Sequence, residues 1–328
     1  MPTTARVRPT TSTRTRLRVP PQEIPQRPFG RTGETVSIIG MGGYHLGAIG
    51  SEREAVSLVH RAIDAGITFM DNAWEYHEGV SEQRMGKALS SGWRQKVFLM
   101  SKVCTHGRDA KVAMRQLHES LRRLKTDYLD LWQVHEVVYA GDPERHFMKG
   151  GVIEALDEAK RQGLVRFVGF TGHKDPALHL QMLSHGYPFD SVQMPLNCFD
   201  ATFRSFEQQV LPEVLRQGMA PIGMKTFGGD GDAVKKRAVK AEDALRYSMS
   251  LPVAVTVTGI DSARVLRQNV GVARAFRPMG TLEMERLRAR CAPQAVDGRF
   301  ELYKTTARHE ANVGRKQHGF PLQGELGG

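Results

Sequence analysis

From Arg27 onward, short apolar runs alternate with segments whose apolar positions recur every three to four residues. The runs read as buried strands, and the periodic segments as amphipathic helices packed against them. Residues 36–41 form the first run, and 52–64 is a helix that stops at Ala65-Gly66. Residues 67–71 give a second strand, followed by a helix over 82–89 that Ser81 is placed to cap. A third strand over 97–102 leads into a helix over 109–124, and a fourth over 128–135 into a helix over 151–162. The remaining strands cover 164–169, 190–194, 220–224 and 253–257. Their helices cover 177–183, 205–216, 241–249 and 262–275.

Eight strand–helix units in series predict an α/β protein, a closed parallel (β/α)8 or TIM barrel. A doubly wound sheet would carry a glycine fingerprint after its first strand, but Gly40-Met-Gly42-Gly43 lacks the third glycine at the required spacing. The expected organisation is a basic tail over 1–25, one barrel domain over 26–290 and an irregular extension over 291–328 packed on the barrel.

The net charge of +11 comes partly from Arg6, Arg8, Arg14, Arg16 and Arg18 in the tail, where no acid occurs. That Thr/Arg/Pro-rich stretch predicts disorder. Its composition overlaps with organelle transit peptides, but a flexible tail on a cytoplasmic protein is the simpler reading. Elsewhere the basic residues alternate with acids along helices, which argues against a nucleic-acid partner. No apolar run is long enough to span a membrane. Cys104, Cys198 and Cys291 lie far apart, so neither a disulfide framework nor a zinc knuckle is expected.

In such a barrel the active site forms at the C-terminal ends of the strands. Those ends carry Tyr44, His45, Asp71, Tyr76, Lys102, His135, Thr171, His173, Gln193 and Lys225. Tyr76 is a candidate proton donor if its phenol is lowered by the Lys102 ammonium. Asp71 would keep that ammonium charged, and His135 would orient a carbonyl oxygen. Plainer readings exist: a structural Asp71–Lys102 ion pair, a hydrogen-bonded His135 at a strand end, and Tyr76 packing on Trp74. Their joint occurrence at three consecutive strand ends favours chemistry.

Over about 27–269 the chain resembles the aldo-keto reductases, bacterial type. Phe69-Met-Asp71-Asn-Ala-Trp-Glu-Tyr76-His-Glu-Gly-Val-Ser81-Glu82 resembles the family signature Asp-Thr-Ala-x-x-Tyr-Gly-x-Ser-Glu. Ser120-Leu-x-x-Leu124-x-x-Asp127-Tyr-Leu-Asp130-Leu131, ending at His135, resembles a second, and Arg27-Pro-Phe-Gly-Arg-Thr-Gly33 a common opening. The resemblance implies reduction of an aldehyde or ketone by NADP(H), with NAD(H) as the alternative. It makes Tyr76 the donor, Lys102 and Asp71 its tuning pair, and His135 the orienting group.

It also implies cofactor contacts from Thr171, Gln193, Met224 and Lys225, and from Ser262, Arg264, Gln268 and Asn269 at the adenosine phosphate end. Gly172 stands where the family often has Asn, with His173 as a substitute, and Met224 where it often has an aromatic ring. Asp261 would repel a 2′-phosphate. Tyr44, His45 and Trp74 are expected to line a mouth for a small-molecule carbonyl substrate. Two alternatives remain: a redox-sensing regulatory relative, and a metal-dependent barrel hydrolase or lyase built on His45, His77, His135, His173 and Glu136. Metal ligands are not expected, because those histidines lack strong metal spacings. Nothing in the pattern selects an oligomeric state.

Overall fold

The chain enters through an antiparallel hairpin of β1 (Gln26–Pro28) and β2 (Thr35–Ser37). In this computed structural model residues 23–104, 109–307 and 309–326 are described. Of the tail expected to be disordered over 1–25, residues 1–22 lie outside the described residues, whereas Ile24 is buried and the Pro25 carbonyl accepts from the Ile38 N–H at 3.0 Å. The hairpin's Phe29 is fully buried, its ring 4.8 Å from Phe98 and 6.0 Å from Phe69.

The first barrel strand is β3 (Ile39–Gly42), followed by α1 (Tyr44–Ala48) and α2 (Glu52–Asp64). Then come β4 (Phe69–Asp71), α3 (Val80–Leu89), β5 (Phe98–Val103), α4 (Ala110–Leu124) and β6 (Leu129–Val134). Helices α5 (Asp142–Phe147) and α6 (Val152–Arg161) lead to β7 (Val165–Thr171), α7 (Pro176–Ser184) and β8 (Ser191–Pro195). Helices α8 (Phe206–Gln209) and α9 (Leu211–Arg216) precede β9 (Ala220–Met224), and α10 (Asp232–Lys235) and α11 (Ala241–Ser250) precede β10 (Val255–Gly259). The series ends with α12 (Ala263–Arg274), α13 (Thr281–Cys291), α14 (Leu302–Thr305) and α15 (Asn312–His318). Strand β10 pairs with both β9 and β3, closing eight parallel strands into a barrel.

The helices form where the pattern places them. In α2 the Ser51 side chain accepts from the Glu54 N–H at 3.2 Å, and Ala55, Leu58, Val59, Ala62 and Ile63 make the buried face. In α4 Asp109 accepts from Lys111 N–H at 2.7 Å, and Lys125 ends the helix in the left-handed region. Inside the barrel, Phe29, Phe69, Phe98, Met100, Leu131, Ile222, Val255 and Val257 pack together, with Phe167 against them. Each buried phenylalanine contributes about 1.5–3 kcal/mol. Strand side chains alternate, so the positions that supply this plug also aim Asp71, Lys102, Thr171, Gln193 and Met224 inward at the upper ends. The apolar floor and the polar site above it are thus one periodicity.

Four details depart from the sequence reading. The expected first strand over 36–41 divides at Ile38, its first half going to the hairpin and its second to the barrel. Ser81 does not cap α3; its hydroxyl donates to the Gly43 carbonyl at 2.6 Å, and Gly79 (φ +91°) occupies the N-cap. The helix over 205–216 breaks at Val210, just before Pro212, which supplies no N–H. The short α1, α5 and α10 and the mostly polar α13 were not anticipated, and α13 buries only Leu287 and Cys291.

The C-terminal segment returns to the strand ends, carrying α14, α15 and two single 3-10 turns where irregular chain was expected. Lys304 is fully buried, its ammonium on Asp200 Oδ1 at 2.6 Å, Glu301 Oε2 at 3.0 Å and the Phe203 carbonyl at 2.8 Å. Glu310 pairs with Lys174 and Arg315 and accepts from the Tyr139 hydroxyl at 2.6 Å. Among the described residues, no helix is long and apolar enough to cross a membrane.

Candidate active site

The site is built on the loop after β4. His77 (φ +49°), Glu78 (φ +57°) and Gly79 (φ +91°) follow one another in the left-handed region. This turn folds Tyr76 back over the barrel. Such conformations are costly for residues with a side chain and persist where the surroundings over-determine them. The Trp74 N–H donates to the Lys102 carbonyl at 3.1 Å, which ties the loop to β5.

Beneath the turn, Lys102 donates to Asp71 Oδ1, to the Asn72 carbonyl at 2.8 Å and to the Tyr76 hydroxyl at 3.3 Å. Lys102 and Asp71 are 1% and 3% exposed. The second carboxylate oxygen of Asp71 accepts from Gln193 Nε2 at 2.7 Å. The His135 ring meets the Tyr76 ring edge-on, with centroids 5.6 Å apart. Asp71, Tyr76, Lys102 and His135 are therefore one cluster across β4, β5 and the end of β6.

The expected lowering of Tyr76 is not what this geometry gives. Burial, with the carboxylates of Asp71, Glu75 and Glu136, pushes the phenol well above its ordinary value. The Lys102 charge is spent mainly on Asp71, and three acids outweigh one ammonium. The phenol thus keeps its proton at ordinary pH, in the form a donor needs.

Tyr44 is 55% exposed, edge-on to Tyr76 at 5.4 Å, so it stands at the mouth. His45 lies beside it, centroids 5.8 Å apart, its ring against Gly259 at the end of β10. Trp74 is a correction. Its indole N–H donates to Glu119 of α4 at 2.7 Å and the Arg123 guanidinium lies 5.4 Å from its ring, so it is held against α4 rather than lining the mouth.

Along the arc from β7 to β10, Thr171 and His173 are buried, and Thr171 pairs in register with Gln193. Gly172 has a clear physical reason. A Cβ there would run into the Val137 carbonyl and lie 2.7 Å from the His179 ring, so the family's Asn has no room. Burial, Lys225 and His309 hold His173 well below its ordinary value, so it is neutral. Met224 ends β9 half-buried, and Lys225 follows at φ +56° with its ammonium 5.0 Å from the Tyr303 ring. Burial brings Lys225 down to about 8 against the pull of Glu136 and Asp230. Ser262 caps α12, accepting from Val265 N–H at 3.3 Å; Arg264 and Gln268 are exposed and Asn269 is buried.

The C-terminal extension, expected to pack on the barrel, also reaches the site. Tyr303 of the C-terminal segment packs edge-on to His173 at 5.9 Å, and the Ala311 N–H donates to Glu136 at 3.0 Å. Glu75 places its carboxylate on Nδ1 of His135. Its position beside Tyr76 was the available signal, but its partner lies sixty residues on and no spacing shows it. Among the described residues, the one group of three ligand-type side chains close enough to share a metal is Glu75, His135 and Glu136, not the histidine set considered from sequence.

Comparisons with known proteins identify the family and the fold. The profile of the aldo/keto reductase family matches residues 38–248. Aldo-keto reductase YhdN of Bacillus subtilis is 29% identical over 55% of this chain and 55% of its own length. Methylglyoxal reductase YeaE of Escherichia coli is 35% identical over 39% of this chain and 43% of its own. The aligned part thus spans about half the length of these curated relatives. In fold, the chain is similar to aldo-keto reductase AKR11C1 from Bacillus halodurans (TM-score 0.67, 23% identity, 82% of this chain and 96% of that one). An aldo/keto reductase from Klebsiella pneumoniae, solved with NADP and acetate, gives a TM-score of 0.67 at 21% identity, over 82% of this chain and 96% of that one. A closed eight-stranded barrel, a Tyr–Lys–Asp–His cluster at its strand ends and a family profile spanning most of the barrel lead to one conclusion: this chain belongs to the aldo/keto reductase family.

Proposed function

We propose that this protein reduces an aldehyde or ketone to an alcohol, with NADP(H) as cofactor and NAD(H) as the alternative. The carrying observation is the buried Asp71–Lys102 pair with the Tyr76 hydroxyl 3.3 Å from its ammonium. A proton donor held over a lysine at a barrel mouth suits delivery of a proton to a forming alkoxide.

Polar atoms along the cofactor arc support the fit. Nε2 of His173, Oε1 of Gln193, Oγ1 of Thr226 and Thr258, and Nδ2 of Asn269 are buried without a partner among the described residues. Buried polar groups ordinarily find one, so this row suits a polar ligand. Thr171, His173, Gln193 and Met224 would hold the nicotinamide end, the last through a polarizable thioether. Lys225, Ser262, Arg264, Gln268 and Asn269 would hold the phosphate and adenosine end, where barrels commonly bind phosphate. Reduced nicotinamide supplies hydride to the carbonyl carbon when bound. Tyr76 donates its proton to the carbonyl oxygen, Lys102 stabilises the phenolate left behind, Asp71 and Gln193 fix Lys102, and His135 orients the oxygen.

NADPH consumption against a panel of aldehydes and ketones tests this reading. Tyr76→Phe is expected to lower turnover by roughly 10²–10⁴-fold while NADPH binding survives. Wild-type turnover in that variant would refute the assignment.

A further inference from the structure

We propose that Glu75 is a positioning residue for the reaction, holding the proton of His135 on Nδ1 and acting as its counter-ion when the ring donates from Nε2. This rests on the carbonyl-reductase reading of the site. The Glu75 carboxylate makes an ion-pair contact with His135 Nδ1, without an aligned hydrogen bond, and the two side chains are 7% and 10% exposed. The turn that brings Tyr76 over Lys102 carries Glu75 with it, since the residues are adjacent.

Burial raises the Glu75 carboxyl, but His135, and to a smaller extent Lys102, outweigh that and leave it below its ordinary value. A carboxyl group in so dry a site needs a partner, and the His135 ring nitrogen against it is the group placed to share a proton with it. A neutral imidazole has one donor and one acceptor nitrogen. With Nδ1–H committed to Glu75, Nε2 of the neutral ring can only accept. Donation from Nε2 to a carbonyl oxygen then requires the imidazolium, and a buried cation needs an adjacent anion.

Glu136 is less suited to that part. It follows His135 in the left-handed region at φ +55°, and its carboxylate accepts from the Ala311 N–H of the C-terminal segment. The other ionisable groups around the ring are Tyr76 on the β4 loop, Lys102 on β5 and His173 after β7.

The test combines kinetics with nitrogen-15 spectra of histidine-labelled protein, the His135 signals being identified by their loss in His135→Gln. Wild type is expected to show His135 Nδ1 protonated, with its signal shifted in Glu75→Gln. That variant is expected to lose roughly 10–100-fold in kcat, by analogy with carboxylates that orient metal-bound histidines, with NADPH affinity kept. In a His135→Gln background the same change should cost nothing further, whereas a merely structural role would add its full cost. A bare Nδ1 in wild type, an unchanged kcat or full additivity overturns the proposal. So does stoichiometric zinc in the active protein that Glu75→Gln releases. If wild type oxidises NADPH with no carbonyl while Nδ1 is protonated, the reductase reading falls and the pairing stands.

Discussion

Lys304 anchors the C-terminal segment, and removing its charge gives a quantitative test of that anchoring. Its ammonium is completely buried and satisfied by two carboxylates and one carbonyl. In Lys304→Met, Asp200 and Glu301 would face each other without a cation. Asp200 would keep its bonds from the Ser205 hydroxyl and the Phe206 and Glu207 amides, and Glu301 those from Asn197 and Tyr303. Breaking a buried pair from one side costs about 3–5 kcal/mol. For a chain of this size that lowers Tm by roughly 4–7 °C. Burial, with Glu301, already raises Asp200 to about 7 despite Lys304. A carboxyl raised in the fold binds extra protons between about 4 and 7, so the folded state gains stability as pH falls through that window. The variant should therefore be less impaired at pH 5 than at pH 8. Urea unfolding at both values measures this, with Lys304→Met/Asp200→Asn/Glu301→Gln as control, in which no buried charge is left uncompensated. A cost below about 1 kcal/mol, or no recovery in the triple variant, would refute the reasoning.

Two further outcomes follow from the arc. Gly172→Asn, which restores the residue the family often has, should destabilise by about 1–3 kcal/mol in urea unfolding rather than tighten NADPH binding, because its Cβ meets the Val137 carbonyl and the His179 ring. Burial holds His179 at about 4 against an ordinary 6.5, so the unfolded chain binds more protons between those values and stability drops as pH falls through the window. His179→Leu should flatten that acid-side loss by up to about 3 kcal/mol, read as the difference in urea stability between pH 7 and pH 4.5.

The barrel was legible because each strand–helix unit carries its own period, and the parity that fills the interior with Phe69, Met100 and Leu131 also lifts Asp71 and Lys102 into the site. The Tyr–Lys–Asp–His cluster was legible for the same reason: strand ends are positions a sequence can number. What escaped depended on partners far along the chain. Trp74 looked like a mouth residue until its N–H was seen to end on Glu119. The Tyr76 phenol was misjudged because it is buried, and because Glu75 and Glu136 reach it from two loops. Tyr303 and Glu310 lie in a polar stretch without periodicity, where burial comes from ion pairs that no hydropathy pattern records.

The pairing of β3 with β10 has a consequence for how the molecule is made. Ile39 finds its Thr256 neighbour only after more than two hundred further residues have been added. Until then β3 presents one bare edge and the growing sheet another, and both are templates for pairing with other chains. Late closure over so long a separation is intrinsically slow, so the hazard falls during synthesis rather than in the finished barrel. Heterologous yield should consequently respond to growth temperature and to chaperone supply more strongly than the stability of the completed fold would suggest.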